Sequence, residues 1–190
     1  MTDTQKKPLW KNELVWLFLI TSGLFAILYS KFILGGYAYV FTDTGADTMQ
    51  INYAQYGLFS SLFRSGESGY VLQAGLGMDV SSYYPAYLIP YNLLILLAPQ
   101  RLLPWAVLAS AYLKMITISL VGYLFYRKLM QDGIGTMAAA LAWTFSGYVI
   151  LWGQQYGFCT CMALFTVFMY FFQCYLNGEK RWKNAGLVLT

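Results

Sequence analysis

Long apolar runs separated by short polar ones organise this chain. Residues Met1 to Asn12 are polar and carry Lys6, Lys7 and Lys11; an apolar run then extends from Leu14 to Leu34 and is closed by Gly35-Gly36. Further apolar runs cover Ala86–Ala98, Trp105–Tyr126, Ile134–Trp152 and Phe158–Leu176, and another starts at Ala185. A helix needs about 20 apolar residues to cross a bilayer. The pattern therefore predicts spans at about 14–34, 105–126, 134–152 and 158–176, the start of another at 185, and a large loop at 37–104. Paired glycines after Leu34 suit a helix C-terminus. The run from Ala185 has too few residues to cross before Thr190, so 1–190 reads as the N-terminal part of one longer transmembrane domain. The fold class expected is an all-α integral membrane protein, a multi-span helical bundle.

The short run Ala86–Ala98 decides the topology. It is bounded by Pro85 and Pro99 and has Pro90 inside. If it crosses, Arg127-Lys128 and the Lys180-Arg181-Lys183 cluster face away from the lysine-rich N-terminus. If it stays interfacial or re-entrant, all the basic clusters share one side, as the positive-inside rule prefers. The expectation is a cytoplasmic N-terminus, with residues 37–104 forming one external loop on the membrane surface that carries interfacial helices. Leu14–Leu34 is longer than a signal-peptide core and no small-x-small cleavage site follows it, so it reads as an uncleaved span.

Composition agrees. The chain is 58% hydrophobic and 19% aromatic with 11% charged residues, whereas soluble domains carry about 25% charged residues. The net charge of +4 is spread over short loops, without the basic stripe that a nucleic acid requires. Histidine is absent, which removes imidazole from acid–base and metal chemistry in this chain. Cys159, Cys161 and Cys174 all fall in one apolar run; the first two point about 200° apart on a helix and do not chelate a metal together, so the three read as packing residues.

Within the loop, Met49, Tyr53, Tyr56, Phe59 or Ser60, and Phe63 recur at three- and four-residue spacings, and Gln50, Asn52, Gln55, Ser61 and Arg64 fill the other side. This predicts an amphipathic helix over 46–64 lying in the interface, with Gly66 and Gly69 bracketing its end. Asp43 or Thr44 can cap it, and Asp47 falls in its first turn, where the helix dipole favours a carboxylate. Asp43 and Asp47 are either solvated capping residues or a general base, metal or phosphate-linked site at the outer surface. Lys114 lies roughly 14 Å into the span 105–126 at 1.5 Å per residue. A cation there snorkels to the outer face, faces a polar cavity or pairs with an anion such as a lipid phosphate or a carboxylate. Asp132 and Glu179 read as ordinary loop charges. Gly75 and Gly77, followed by Ser81, Ser82, Tyr83 and Tyr84, make a weak backbone site for a sugar or phosphate. The WGQQY stretch, Trp152 to Tyr156, ends a span; its glutamines either bind a polar ligand or form solvated loop.

The order Asp47-Thr-Met-Gln50, Gln55-Tyr56, Gly75-Leu-Gly77, Tyr83-Tyr84, Pro90, Asn92-Leu-Leu, Pro99, Lys114, Gly122, Tyr126 and Ser146-Gly147 resembles the YfhO-type bacterial membrane proteins, relatives of the GT-C superfamily of glycosyltransferases. The resemblance covers nearly the whole chain through loose motifs in a consistent order. It implies a GT-C-like fold in a bacterial cell membrane and transfer of a sugar from a polyprenyl-phosphate donor to a cell-envelope acceptor such as lipoteichoic acid on the outer face. It implies Asp47 as catalytic base or site organiser, with Asp43 a second candidate. Lys114 is then expected at the donor phosphate, and Gln50, Gln55, Tyr56, Gly75, Gly77, Tyr83 and Tyr84 at the substrate. Two carboxylates alone do not support a divalent metal. The alternatives are a transporter or lipid flippase, for which Lys114 and the proline-rich segment 85–99 would line a pathway, and a non-catalytic scaffold for envelope assembly.

Overall fold

The computed structural model describes residues 12–41, 47–67, 69–72, 77–82, 89–130 and 132–179. They are mostly helical. The helices are α1 (Glu13–Leu28), α2 (Ser30–Leu34), a π-helix (Thr48–Tyr53), α3 (Ala54–Ser65), α4 (Pro90–Leu97), α5 (Leu103–Leu129), α6 (Gly133–Thr144), α7 (Gly147–Leu151) and α8 (Tyr156–Leu176). A two-stranded antiparallel hairpin, β1 (Tyr70–Val71) with β2 (Met78–Asp79), pairs Tyr70 with Asp79 and Val71 with Met78. Three helical stretches are long and apolar enough to cross a membrane: Gln100–Leu129, Gly133–Gln154 and Tyr156–Leu176. Large apolar side chains on their outer surfaces, Phe165, Phe168 and Phe172 among them, are exposed as lipid contact requires.

The expected first span is two helices. At about 1.5 Å per residue α1 alone is roughly 24 Å long, short of a ~30 Å hydrocarbon core. The chain turns at Tyr29, whose φ is −102° and ψ 17°. Its ring leaves the helix face to pack on Phe25 at 4.4 Å and Tyr39 at 5.3 Å between ring centres. Helix α2 then ends at Gly35, and Gly36 takes φ +69°, the left-handed conformation for which glycine is suited. The proline-bounded run yields α4, eight residues long and at about 12 Å too short to cross. Pro90 stands at its start, where a missing N–H costs nothing, so this proline begins the helix and does not break it. Asn92, Ile95 and Leu96 are its buried residues.

Hydrogen bonds between helices set their directions. Thr21 Oγ1 meets Ser119 Oγ at 2.7 Å, Ser22 Oγ meets Tyr112 Oη at 2.8 Å, and Tyr123 donates to Glu13. Helices α1 and α5 are therefore antiparallel. Lys114 of α5 reaches the start of α8, and Lys128 near the end of α5 reaches Glu179 beyond the end of α8, so those two are parallel. The beginning of α1 and the ends of α5 and α8 share one end of the bundle, with Arg127 and Lys128 there. Asp132 caps α6 at this end, accepting from Ile134 and Gly135 N–H at 3.3 and 2.7 Å. The clusters Lys6–Lys11 and Lys180–Lys183 lie outside the described residues.

The main core lies towards the other end, joining Phe25, Tyr29, Tyr39, Tyr56, Ile95 and Tyr156. A smaller one under the hairpin joins Phe59, Leu62, Val71, Val80 and Leu96. The amphipathic helix is present from Thr48 to Ser65, its first turn and a half in π form, and Gly66 ends it with φ +70°. It is more than a surface rider: Tyr56, Phe59, Ser60 and Leu62 are buried, and Ser60 Oγ donates to Ala98 O of the α4 terminus at 2.8 Å.

Candidate functional site

The candidate site forms where the π-helix, α5 and the turn before α8 meet. After α6 the helix is interrupted at Phe145 and Ser146, resumes as α7, tightens to a 3-10 turn at Trp152–Gln154 and passes through extended Gln155 into α8. This irregular backbone offers polar groups at the edge of an apolar bundle. Gln154 O accepts from Thr48 Oγ1 at 3.2 Å, and Gln155 Oε1 accepts from Asn52 Nδ2 at 2.7 Å. Thr48 and Asn52 are four apart, so both face this turn and pin the π-helix to it.

Tyr156 is the hub. Its hydroxyl donates to Tyr39 O. Its ring lies 5.8 Å from that of Tyr39 and 5.4 Å from that of Tyr56, inclined by 30° and 15°. Tyr56 in turn donates to Asn92 Oδ1 at 3.3 Å. Three tyrosines, from the loop, the π–α3 helix and α8, thus form one stack. Burial pushes the Tyr39 phenol well above its ordinary range, so it stays protonated.

Below the stack, Lys114 is 2% exposed, and its Nζ donates to Tyr156 O at 3.2 Å. It does not snorkel. Among the described residues no carboxylate pairs with it. Lys114, Ser110, Gly153, Tyr56 and Tyr156 line a cavity of about 10 Å³, about the room of one water. Ser110 is 1% exposed and its hydroxyl has no hydrogen-bond partner among the described residues.

Asp47 is exposed and immediately precedes the π-helix; its side chain does not cap that helix. Its neighbour Thr48 is bonded to Gln154, two residues from the Tyr156 carbonyl that holds Lys114. The expected Asp47 and Lys114 therefore sit on the two sides of one hydrogen-bonded junction, the first open and the second enclosed. Gln50 is exposed and Gln55 half-buried on the same helical segment. Tyr56 points into the cavity and the stack. Gly77 belongs elsewhere: it has φ +107° in the β-hairpin, its Cα against the Tyr70 ring. That packing accounts for a glycine there without a ligand. Asp43, Gly75, Tyr83 and Tyr84 lie outside the described residues.

Among the described residues no group of three His, Cys, Asp or Glu side chains gathers to hold a metal. Cys159 is buried and Cys161 exposed, as their two-residue spacing on a helix requires. Ser110, Tyr39, Asn52 and the exact part of Tyr156 were not singled out by the sequence. Ser110 had a signal, one helical turn before Lys114 on the same face; the Tyr156 carbonyl had none. Comparisons of the chain with protein-family models, with curated proteins and with solved structures found no match.

Proposed function

We propose that this chain acts in a bacterial cell membrane as a GT-C-like glycosyltransferase, moving a sugar from a polyprenyl-phosphate donor to a cell-envelope acceptor such as lipoteichoic acid. The observation that carries this reading is the junction itself: a buried Lys114, bonded to Tyr156 and without a carboxylate partner among the described residues, beneath a helix that begins at exposed Asp47. A cation held in apolar surroundings is costly and points to a negatively charged partner.

In this reading Asp47 takes the proton of an acceptor hydroxyl. The hydroxyl oxygen attacks the anomeric carbon in line and forms the new glycosidic bond. The bond from that carbon to the phosphate oxygen breaks, its electron pair leaves with polyprenyl phosphate, and the configuration inverts. Lys114 offsets the charge that develops on the phosphate. A cavity of about 10 Å³ does not hold a phosphate, so the reading requires the Tyr56 and Tyr156 rings to part when the donor binds.

The test uses purified protein in proteoliposomes with a labelled polyprenyl-phosphate sugar and the envelope polymer. Wild type should release polyprenyl phosphate, and Asp47→Asn should lose about 10²-fold or more in rate. Equal rates would reduce Asp47 to a structural residue. The interruption at Phe145–Ser146, where Ser146 Oγ is buried and has no partner among the described residues, favours a second reading. Broken helices are where transporters and flippases place their sites. Movement of label across the bilayer without bond cleavage would select that reading. Tolerance of substitution at both Asp47 and Lys114, with no turnover or movement, would select a scaffold.

A further inference from the structure

We propose that the groove between α4 and the first turns of α5 binds one anionic glycerophospholipid, an acyl chain lying in the groove and the lipid phosphate at Arg101. The lining sets the large side chains of Leu94, Leu97, Leu102 and Trp105 around the small Ala106 and Ala109, and the space left is about 370 Å³. The alanines do not fill the room that the larger side chains surround. All four large side chains are exposed. On a helical stretch long and apolar enough to cross a membrane, such a groove meets lipid tails.

Charge at the end of the groove selects the lipid. Gln100–Leu129 is one continuous helical stretch, so Arg101 and Trp105, four apart, share a face. Arg101 is exposed, and among the described residues no carboxylate pairs with it. The turn that carries it is fixed by Gln100, whose Nε2 donates to Gly57 O of α3 at 2.8 Å. A guanidinium meets a phosphate through two parallel N–H groups. In a zwitterionic lipid that phosphate already has the lipid's own cation beside it, so Arg101 favours a lipid of net negative charge. Trp105 also lines a second cleft, of about 190 Å³, with Gly36, Tyr37 and Ala38. Gly36 has only backbone to offer there, so the indole borders an apolar space and a partly polar one, as the junction of tail and headgroup requires. Lys114, Ser110 and Val107 line their cavity from another face of α5. The groove is therefore separate from the donor phosphate proposed at Lys114, and the inference rests on the membrane reading and not on glycosyl transfer.

The experiment is fluorescence quenching of the full chain in nanodiscs, with phosphatidylglycerol or phosphatidylcholine brominated on its acyl chains and titrated against unbrominated phosphatidylcholine. Bromine quenches an indole only in contact, and the part due to Trp105 is the difference between wild type and Trp105→Phe. Half-quenching of that part should need about fivefold less brominated phosphatidylglycerol than brominated phosphatidylcholine, the weight of one basic side chain at a membrane surface. Arg101→Gln should bring the two lipids level. Ala109→Phe, which fills the groove, should lower quenching by both. Equal quenching of wild type by the two lipids would mean an unselective lipid annulus and overturns the proposal. A full preference retained in Arg101→Gln overturns it as well, and because Arg101 is exposed that arm decides alone should Ala109→Phe fail to fold. Relief of quenching by unlabelled polyprenyl phosphate at a lower mole fraction than by unlabelled phosphatidylglycerol would overturn the assigned occupant. Asp47→Asn should keep the lipid preference whether or not wild type transfers sugar, so the two readings fail separately.

Discussion

Two lysines on one helix live under opposite rules. Lys128, near the end of α5, is paired with Glu179 at 2.5 Å and lies 5.4 Å from the centre of the Tyr170 ring, with its side chain 18% exposed. Lys114, about four turns earlier and roughly 21 Å away along the axis, is buried, donates to a backbone carbonyl and shares a small cavity with Ser110. The first is a partnered, partly exposed charge, of the kind that contributes little to stability. The second is a charge whose desolvation is not offset by a carboxylate among the described residues. A sequence retains such a group against its cost when something outside the fold's own packing needs it, which is why the candidate site is placed at Lys114 and not at Lys128.

Charge reversal is the strongest way to break this contrast. Lys114→Glu sets a buried carboxylate against Tyr156 O, two acceptors without a proton between them, and should cost about 3–5 kcal/mol. The expected result is loss of monodisperse folded protein on size exclusion, while Lys128→Glu is recovered normally. Normal recovery of Lys114→Glu would mean that the side chain escapes to water and that the enclosure described above does not persist. Lys114→Met should melt at or above the wild-type temperature, because an apolar side chain replaces an uncompensated charge, yet lose polyprenyl-phosphate release.

A middle-sized effect sharpens the description of the cover over Lys114. Tyr56→Phe keeps the ring stack but removes the donor to Asn92, whose amide oxygen stays buried. The loss should be about 1–2 kcal/mol, read as a lower midpoint in chemical or thermal unfolding. An unchanged midpoint would show that Asn92 finds another donor and that the stack alone holds the cover.

The smallest effect belongs to the paired end. The hydrogen bond from Lys128 holds the Glu179 carboxyl below its usual range. A carboxylate with a lowered value contributes stability above its unfolded value, about 4.3 for glutamate, and loses it as pH falls through the folded one. Melting temperature should therefore decline slightly more in wild type than in Glu179→Gln on acidification below about pH 5. Parallel curves would leave this pair without a measurable part in the fold.

Much of the architecture was legible in the order of residues. The apolar runs expected at 105–126 and 158–176 appear as the helices Leu103–Leu129 and Tyr156–Leu176, both long and apolar enough to cross a membrane; a helix satisfies every backbone group of such a run within itself. The stop at Gly35-Gly36 and the end of the amphipathic helix at Gly66 follow from glycine's tolerance of positive φ. Other features were not legible. The turn at Tyr29 splits the first apolar run because its ring packs on Phe25 and Tyr39, the latter brought there by the loop. The stacking of Tyr56 on Tyr156 joins residues a hundred positions apart, which no local spacing records. Gly77 was one half of a weak sugar or phosphate site in sequence; the Tyr70 ring beside it also gives it a packing role.

Periodicity and length alone determined that this is an apolar helical chain with stretches long enough to cross a membrane, and that a lysine stands well inside one of them. These are properties of near neighbours in the chain, where spacing sets the face and composition sets the solvent. Whether Lys114 reached water, a carboxylate or a carbonyl was decided only by folding, since Tyr156 lies 42 residues away and one backbone carbonyl is like any other in a sequence. The same holds for the unpartnered Ser110 and the space beside it: a cavity is what several elements leave between them when their side chains have packed, and no single stretch of residues contains it.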